Sequence, residues 1–381
     1  MNLQDEKKLL LLCARPRTTD KERKELIHHL VKTKPDWEKV ADLAASQGTA
    51  PLLYFNLKDI KGYAPVPGDV MDKLKSAYLG NAARNMYLYS KLQKVVRALD
   101  EHGVDVMVLK GAALAGTVYP DIGLRTMADI DLLVKHEHLD RVRDIMSGLD
   151  YEAQTEAGPE EWYRKKHFHL PVYLHKEKST AIEIHWHITQ DPEGIDIGKW
   201  WERAGKAELH GVRALIPSPE DMVFHLCLHL HQESTIEKAA LRGLCDIAGT
   251  LRYYEKEIDW TLFCEEVSRC NIARQVYAVL FLVKKHLHGD DLSLPRLKPE
   301  MGDGKFTALL EQLMLGPETV SYGPFLRFLT ARTFWKKAHI LFTALFPSRE
   351  EMSGRYGASP CSLKTHYHYL SRPVELFAKY R

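Results

Sequence analysis

The stretch that decides the fold is VDVMVLKGAALAGTVYPDIGLRTMADIDLLV, residues 104–134. It begins with a short apolar run that ends abruptly in Lys110-Gly111, and it continues through a segment of small residues. After a turn it closes on a second apolar run that carries two carboxylates, Asp129 and Asp131. We therefore predict a strand, a glycine turn, a helix and a second strand, a layout suited to binding phosphates and a divalent cation.

The two acids of the second strand are two residues apart. Residues at that spacing in a strand point to the same face, so Asp129 and Asp131 are expected to project together. Two carboxylates so close repel each other unless a cation neutralises them, and Mg²⁺ held by carboxylates and substrate phosphates does so. The alternative is a solvated strand end that carries two acids and binds nothing.

A third carboxylate lies on a later predicted strand, residues 181–188. Its alternation places Glu183, His185 and His187 on one face and four apolar residues on the other. If this strand pairs beside the strand of Asp131, Glu183 can share a metal or take the proton of an acceptor hydroxyl. Among the histidines near this strand, His185 is the strongest functional candidate because it shares a face with Glu183.

Phosphate contacts are predicted from the turn that precedes the acids. Lys110 and Gly111 stand where the N-terminus of a helix would offer free N–H groups to an anion. Arg125, four residues before Asp129, is a second candidate for binding phosphate. Its alternative is a structural salt bridge to Asp121 or Asp129.

These residues carry a resemblance to a known family. LKGAALAGTVYPDIGLRTMADIDLLV followed by IEIHWHI resembles the nucleotidyltransferase (DNA polymerase beta-like) superfamily and, more narrowly, an uncharacterised bacterial nucleotidyltransferase family. The resemblance extends over most of the chain, from the helix around Asn81 through LRGLCDI to LFPS, although only DIDLLV and EIHWHI are specific. It implies that two Mg²⁺ ions position a nucleoside triphosphate, such as ATP, while an acceptor attacks its α-phosphorus and pyrophosphate leaves.

Carried over residue by residue, the resemblance matches Asp129 and Asp131 to the paired strand acids and Glu183 to the third acid. The sequence departs from the superfamily at the phosphate turn. The usual Gly-Ser pair is replaced by Gly111 and an alanine, and Lys110 adds a charge that the wider family lacks there. A non-catalytic nucleotide- or partner-binding module on the same fold therefore stays open as an alternative to an enzyme.

The organisation around this stretch predicts an α+β protein. We expect an N-terminal helical region (1–103), a nucleotidyltransferase domain with a mixed sheet (104–215) and a C-terminal helical domain (216–381). Residues 151–169 are predicted to form a loop or short helix, and the helical pattern returns after residue 192 and holds to the end.

The composition is that of an ordinary globular protein, with 381 residues, 45% hydrophobic and 27% charged residues and a formal net charge of +2. We find no secretory signal and no apolar run of membrane-spanning length. Six cysteines without a CxxC motif indicate reduced thiols and a cytoplasmic protein.

Two other features carry weaker functional hypotheses. His225, His229 and His231 could hold the metal of a hydrolase, although packing beneath the catalytic domain is the favoured interpretation. The basic, aromatic-containing residues 322–381 favour a solvated bundle over an RNA surface. A small molecule or a protein is therefore expected as acceptor in preference to RNA, and neither its identity nor the oligomeric state follows from the sequence.

Overall fold

A seven-stranded mixed sheet lies at the centre of the protein. The computed structural model describes residues 3–60, 62–63, 66–155, 160–177, 180–190, 194–232, 236–288, 304–315, 334–347, 352 and 362–379. The strands are β1 (Met107–Val108), β2 (Asp129–Leu133), β3 (Tyr151–Ala153), β4 (Tyr173–His175), β5 (Ala181–His185), β6 (Gly205–Leu209) and β7 (Val212–Ile216). Their order across the sheet is β3-β4-β5-β2-β1-β7-β6.

The central pair of strands, β2 and β5, sets the register of the site. The two strands run parallel, and Asp131 lies beside Glu183 while Ile130 lies beside Ile182. On the other side β2 pairs antiparallel with β1, whose Met107 lies opposite Leu133. The condition that the sequence left open, pairing of the Glu183 strand beside the strand of Asp131, is therefore met.

Helices precede, interrupt and follow the sheet. The N-terminal helices are α1 (Leu3–Cys13), α2 (Asp20–Lys32), α3 (Trp37–Ser46), α4 (Ala50–Lys58) and α5 (Gly68–Glu101). Between strands lie α6 (Lys110–Thr117), α7 (Leu139–Gly148), α8 (Glu160–Lys166) and α9 (Ile197–Arg203). After the sheet come α10 (Pro219–Gln232), α11 (Ile236–Tyr253), α12 (Trp260–Arg269), α13 (Ala273–Val283), α14 (Gly304–Leu315), α15 (Phe334–Leu345) and α16 (Leu363–Lys379). The predicted α+β class, with a mixed sheet flanked by helices, is confirmed.

Local sequence explains where several helices begin. Thr19 accepts a hydrogen bond from the backbone of Glu22, whose side chain bonds back to Thr19, so α2 starts with a capping box. Asp36 caps α3 by accepting a hydrogen bond from the backbone N–H of Lys39. Ser218 accepts a hydrogen bond from the backbone N–H of Asp221 at the start of α10.

Three strands contradict the sequence-based expectations. Tyr151–Ala153 was expected within a loop or short helix, and Gly205–Leu209 and Val212–Ile216 within a helical region. The last two form a hairpin whose turn residues His210 and Gly211 have φ of 48° and 85°. Such a two-residue turn with positive φ matches the twist of paired strands, and His-Gly was not recognised as its signal.

The strand that carries Glu183 is shorter than predicted. It ends at His185, so His187 lies beyond the sheet and does not share the face of the site. The backbone N–H groups of Trp186 and His187 bond to the carbonyl of Phe168, which turns the chain away from β2.

The described residues contain no helix long and apolar enough to cross a membrane. Of the basic region at residues 322–381, the stretches 322–333, 348–351, 353–361 and 380–381 lie outside the described residues.

Candidate active site

Asp131, Glu183 and His185 form a compact group at the centre of the sheet. The Nε2 of His185 lies 3.0 Å from Oδ1 of Asp131 and 3.3 Å from Oε2 of Glu183. One potential ligand atom from each residue lies within 4.8 Å of the other two, and in the part of the chain that the structure describes this is the group of three that could hold a metal ion. The predicted convergence of β2 and β5 therefore places two carboxylates and an imidazole together.

Lys110 completes this group from the start of α6. Its Nζ donates a hydrogen bond of 2.8 Å to Oδ1 of Asp131, and its side chain is 14% exposed. The backbone of Lys110 has φ of 41°, in the left-handed region that costs a residue with a Cβ about 1–2 kcal/mol. Such strain persists where the surrounding structure imposes it, and it is common at functional sites.

The charges of the group shift the pKa of each member. Burial alone would raise the pKa of the Asp131 carboxyl, but Lys110 and His185 outweigh it and hold that pKa well below its usual value. Burial would likewise lower the pKa of Lys110, yet Asp131 raises it above the usual value. The ammonium and the carboxylate therefore stabilise each other's charged form.

Asp129 has a different environment from Asp131, although both lie on β2. Burial, together with the negative charges of Asp131 and Glu183, raises the pKa of Asp129 to about 6. For Glu183, burial raises the pKa, but the hydrogen bond with His185 outweighs it and the pKa lies below the usual value. At neutral pH Glu183 is thus firmly ionised, whereas Asp129 takes up a proton most readily.

The N-terminus of α6 faces the same region. Leu109 occupies the cap position and no side chain caps the helix, so its first N–H groups have no intrahelical partner. The hydroxyl of Tyr89, on the long helix α5, donates a 2.6 Å hydrogen bond to the carbonyl of Ala112 and so attaches the first turn of α6 to α5. These groups could receive an anion beside Lys110.

Arg125 has a partner that the sequence-based hypothesis did not include. Its guanidinium makes two bonds to Asp246 on α11, from Nε at 3.2 Å and from Nη2 at 2.7 Å. The proposed partners for a structural salt bridge, Asp121 and Asp129, are therefore wrong. Burial would lower the pKa of Arg125, but Asp246 outweighs it and raises that pKa further.

Gly111 is needed at its position because Arg125 passes close to it. A Cβ added to Gly111 would lie 2.6 Å from Nη1 of Arg125 and 3.3 Å from Met127. The guanidinium thus lies against the first turn of α6, near the groups that could receive phosphate, even though Asp246 binds two of its nitrogens. Arg125 links the sheet, α6 and α11.

Hydrogen bonds from the long helix α5 hold the loop that carries Arg125. Asn81 donates to the carbonyls of Gly123 and Arg125, and Asn85 donates to those of Ile122 and Arg125. The loop is thereby held in the shape that presents Arg125 to Asp246.

The three histidines of α10 do not form a metal site among the described residues. His225 is buried against Trp200, with ring centroids 6.0 Å apart, and its ring lies 6.2 Å from that of His229. His231 packs instead near Phe306. Burial lowers the pKa of His225 well below its usual value, and the nearby charge of Lys110 lowers it further. His225 therefore lies behind the carboxylate site as a neutral ring.

The donor set fits a divalent cation. Carboxylate oxygens are the ligands that Mg²⁺ and Mn²⁺ accept, and the close approach of Asp131 to Glu183 leaves excess negative charge for a cation to neutralise. The oxygens of Asp131, Glu183 and, two register positions away, Asp129 could hold such an ion.

Comparison with known proteins identifies the family. A family model described as an uncharacterised nucleotidyltransferase matches residues 33–288. The chain belongs to this nucleotidyltransferase family. Among solved structures it is similar to the antibiotic-resistance factor ANT(2'')-Ia, at 15% identity over 53% of this chain and 99% of that chain, with a TM-score of 0.35. An antigenic nucleotidyltransferase-like protein from Paracoccidioides brasiliensis matches at 15% identity over 49% of this chain and 91% of that chain, with a TM-score of 0.30. None of the curated proteins matches the chain in sequence.

The structure of this nucleotidyltransferase family member adds residues that sequence reasoning missed. Asp246 accepts hydrogen bonds from Arg125 and, at 2.7 Å, from the hydroxyl of Tyr119. The available signal was a single acid within the apolar segment LRGLCDIAG, because an acid on the buried face of a helix requires a partner.

Proposed function

We propose that this protein transfers a nucleotidyl group from a nucleoside triphosphate, such as ATP, to a hydroxyl or other nucleophile of an acceptor, in a Mg²⁺-dependent reaction. The observation that carries the proposal is the parallel pairing of β2 with β5, which puts Asp131 beside Glu183 next to the uncapped start of α6. Acids for a cation and N–H groups for phosphates then lie in one place. Membership of the nucleotidyltransferase family supports the same reaction class.

In this proposal the three carboxylates, Asp129, Asp131 and Glu183, hold one or two divalent ions. A bound ion would neutralise the charge that develops on the phosphates and would align the attacking and leaving oxygens. Glu183, which lies beside Asp131 across the paired strands, could alternatively take the proton of an acceptor hydroxyl.

Lys110 and the first N–H groups of α6 bind the triphosphate in this proposal. Lys110 has a flexible stem and a charge, so it can move from Asp131 to a phosphate oxygen when the substrate arrives. It would thereby take over the role of the serine hydroxyl expected at this turn. Arg125 contributes positive potential from behind Gly111 while it stays bound to Asp246.

The test is pyrophosphate release, measured with each nucleoside triphosphate against small-molecule and protein acceptors. Asp131→Asn and Glu183→Gln are expected to lower the rate at least about 100-fold, which corresponds to about 2.7 kcal/mol of barrier. The matched control is Glu177→Gln, because Glu177 follows β4 with a side chain that is 68% exposed and lies outside the group of three. Equal rates for Asp131→Asn and Glu177→Gln would overturn the proposal.

A binding module that does not turn over nucleotide is the second candidate. The observation that favours it is the ion pair of Lys110 with Asp131, which puts an ammonium against a carboxylate that the enzyme needs for a cation. Calorimetry with triphosphates and Mg²⁺ separates the two functions when it is combined with the pyrophosphate assay. Triphosphate binding that is unchanged in Asp131→Asn, together with no pyrophosphate release for any acceptor, would favour the binding module.

The hydrolase based on the histidines of α10 receives no support from the geometry of the described residues. Metal analysis of His225→Ala and His229→Ala tests it directly. We expect both variants to keep the metal content of the unmodified protein.

A further inference from the structure

We propose that His185 is itself a metal ligand, together with Asp131 and Glu183, so that the site is a mixed nitrogen and oxygen site that prefers Mn²⁺ to Mg²⁺. The inference deepens the proposed function, because it names the metal of the same site. It concerns the binding of the metal alone, however, and can be tested without any turnover.

The spacing of the ligand atoms is the first reason. Ligands placed at octahedral positions about 2.1–2.2 Å from an ion are about 3.0–3.1 Å apart along each edge. The Nε2 of His185 lies 3.0 Å from the Asp131 oxygen and 3.3 Å from the Glu183 oxygen. The two distances from Nε2 therefore match the edges of a coordination sphere, and all three ligand atoms lie within 4.8 Å of one another.

The register of the strands explains why His185 joins the group. Glu183 is opposite Asp131, whereas Asp129 is opposite Ala181, two pairs further along β2 and β5. A step of two residues moves a strand by about 6.6 Å, which separates the short Asp129 side chain from Glu183. His185 is also two residues from Glu183, but its longer side chain reaches back to Asp131.

The burial of His185 is the second, independent reason. The residue is 1% exposed, and its Nδ1 is buried without a hydrogen-bond partner among the described residues. The polar contacts of this buried ring are therefore those of Nε2 with Asp131 and Glu183, which are both potential metal ligands. The rings of His169 and Phe168, with centroids at 5.3 and 5.6 Å, hold the imidazole in place and leave Nε2 directed at the carboxylates.

The preference for Mn²⁺ over Mg²⁺ follows from the donors. Mg²⁺ binds oxygen ligands and keeps its waters, whereas imidazole suits first-row transition metals. One imidazole with two carboxylates is a set that Mn²⁺ accepts in octahedral geometry. A nucleoside triphosphate adds oxygen ligands, which both ions accept, so the preference for Mn²⁺ originates in His185.

Lys110 opposes metal binding in this site. Its ammonium lies 2.8 Å from the same Asp131 oxygen that faces His185, so it must move away before that oxygen can coordinate an ion. Removal of the charge in Lys110→Met is therefore expected to tighten the binding of metal. This gives the inference a variant whose effect is opposite to that of removing a ligand.

The experiment uses full-length protein freed of metal by chelation and titrated with Mn²⁺ alone. Free Mn²⁺ measured by electron paramagnetic resonance gives Kd, and electron spin echo envelope modulation of the bound ion reports a coordinated imidazole nitrogen. We expect the unmodified protein to show that nitrogen coupling. His185→Gln should lose the nitrogen coupling and should weaken Mn²⁺ binding at least about 10-fold. Removal of a residue that merely orients a metal ligand already costs about 10-fold in affinity, so removal of a ligand should cost at least as much. Competition with Mg²⁺ should show a preference for Mn²⁺ that falls by a similar factor in His185→Gln.

The matched control is His169→Gln, because His169 contacts the ring of His185 but its Nδ1 donates a hydrogen bond to the carbonyl of Leu170. It should keep the nitrogen coupling. Lys110→Met should keep it too and should bind Mn²⁺ more tightly, which maintains a test even if His185→Gln does not fold.

Three results would overturn the inference: no Mn²⁺ binding, bound Mn²⁺ without nitrogen coupling, or coupling that persists in His185→Gln. The proposed function fails separately, by an absence of pyrophosphate release while the nitrogen coupling is present. Pyrophosphate release by a protein whose bound Mn²⁺ shows no nitrogen coupling would leave the function standing and remove the inference.

Discussion

The ion pair of Arg125 with Asp246 is expected to be the largest single electrostatic contribution to the stability of the site. Both side chains are almost buried, at 10% and 3% exposure, and two hydrogen bonds join them. Asp246→Asn keeps the shape of the side chain but leaves the guanidinium without a counter-charge. Breaking one side of a buried pair costs about 3–5 kcal/mol, and we expect a loss in the free energy of unfolding within that range.

Two further variants separate the ion pair from other effects. Tyr119→Phe removes only the hydroxyl that donates to Asp246, so it should cost about 1.5–3 kcal/mol, as a hydrogen bond to a charged group does. The double variant Arg125→Met with Asp246→Leu replaces the pair by apolar side chains. It should be more stable than Asp246→Asn, because neither charge is then buried alone.

The assay is urea unfolding followed by tryptophan fluorescence, with the double variant compared against the sum of its single variants in a double-mutant cycle. A loss below about 1 kcal/mol in Asp246→Asn, with additive single variants, would refute the reasoning. Triphosphate binding by the same proteins adds a second readout. If Arg125 acts chiefly on phosphate, Asp246→Asn will change the Kd for triphosphate while stability stays constant.

Three other changes have defined directions. Asp129→Asn should stabilise the metal-free protein by up to about 3 kcal/mol at pH 8. The pKa of Asp129 is raised from 3.8 to about 6 in the fold, so ionisation of this carboxyl destabilises the folded protein as pH rises above 3.8. Melting curves should show that the gain shrinks towards pH 4. Glu22→Gln should destabilise the protein at pH 7, because Arg252 at 2.7 Å outweighs burial and lowers the pKa of Glu22. The stability that ionised Glu22 contributes is present above its usual pKa and is lost as pH falls through the lowered pKa. The melting temperatures of variant and parent should therefore converge in acid. Gly111→Ala should lower the free energy of unfolding by about 1–3 kcal/mol, because the added Cβ would lie 2.6 Å from the guanidinium of Arg125. An unchanged midpoint in urea unfolding would show that Arg125 can move away from Asp246 freely.

The sequence predicted the carboxylates of the site because strand alternation is a local property. Predicting two acids on one face of β2 and a third acid on β5 needs only the two-residue period of a strand. Bringing the three acids together also needs β2 to pair with β5, and the two strands do pair. The caps of α3 and α10 were predictable for the same reason, since each depends on a side chain within three residues of the helix start.

The parts that could not be predicted depend on contacts between distant segments. Asp246 lies 121 positions after Arg125, and no local pattern connects them. The hairpin of β6 and β7 was missed because its strands alternate weakly and its turn is His210-Gly211, a less familiar pair than Asn-Gly. The contact of Lys110 with Asp131 likewise joins residues 21 positions apart, and no local pattern connects them.

That contact offers a physical reason for a lysine at the phosphate turn. Asp129, Asp131 and Glu183 put several negative charges beside one another, and repulsion opposes folding whenever no cation is bound. A serine in this turn could contact phosphate but could not neutralise carboxylates. Lys110 can do both in turn, because its stem lets the ammonium lie on Asp131 in the free protein and on phosphate with substrate. The same residue would then make metal binding weak until a triphosphate draws the ammonium away, so that metal and nucleotide bind together more tightly than either binds alone.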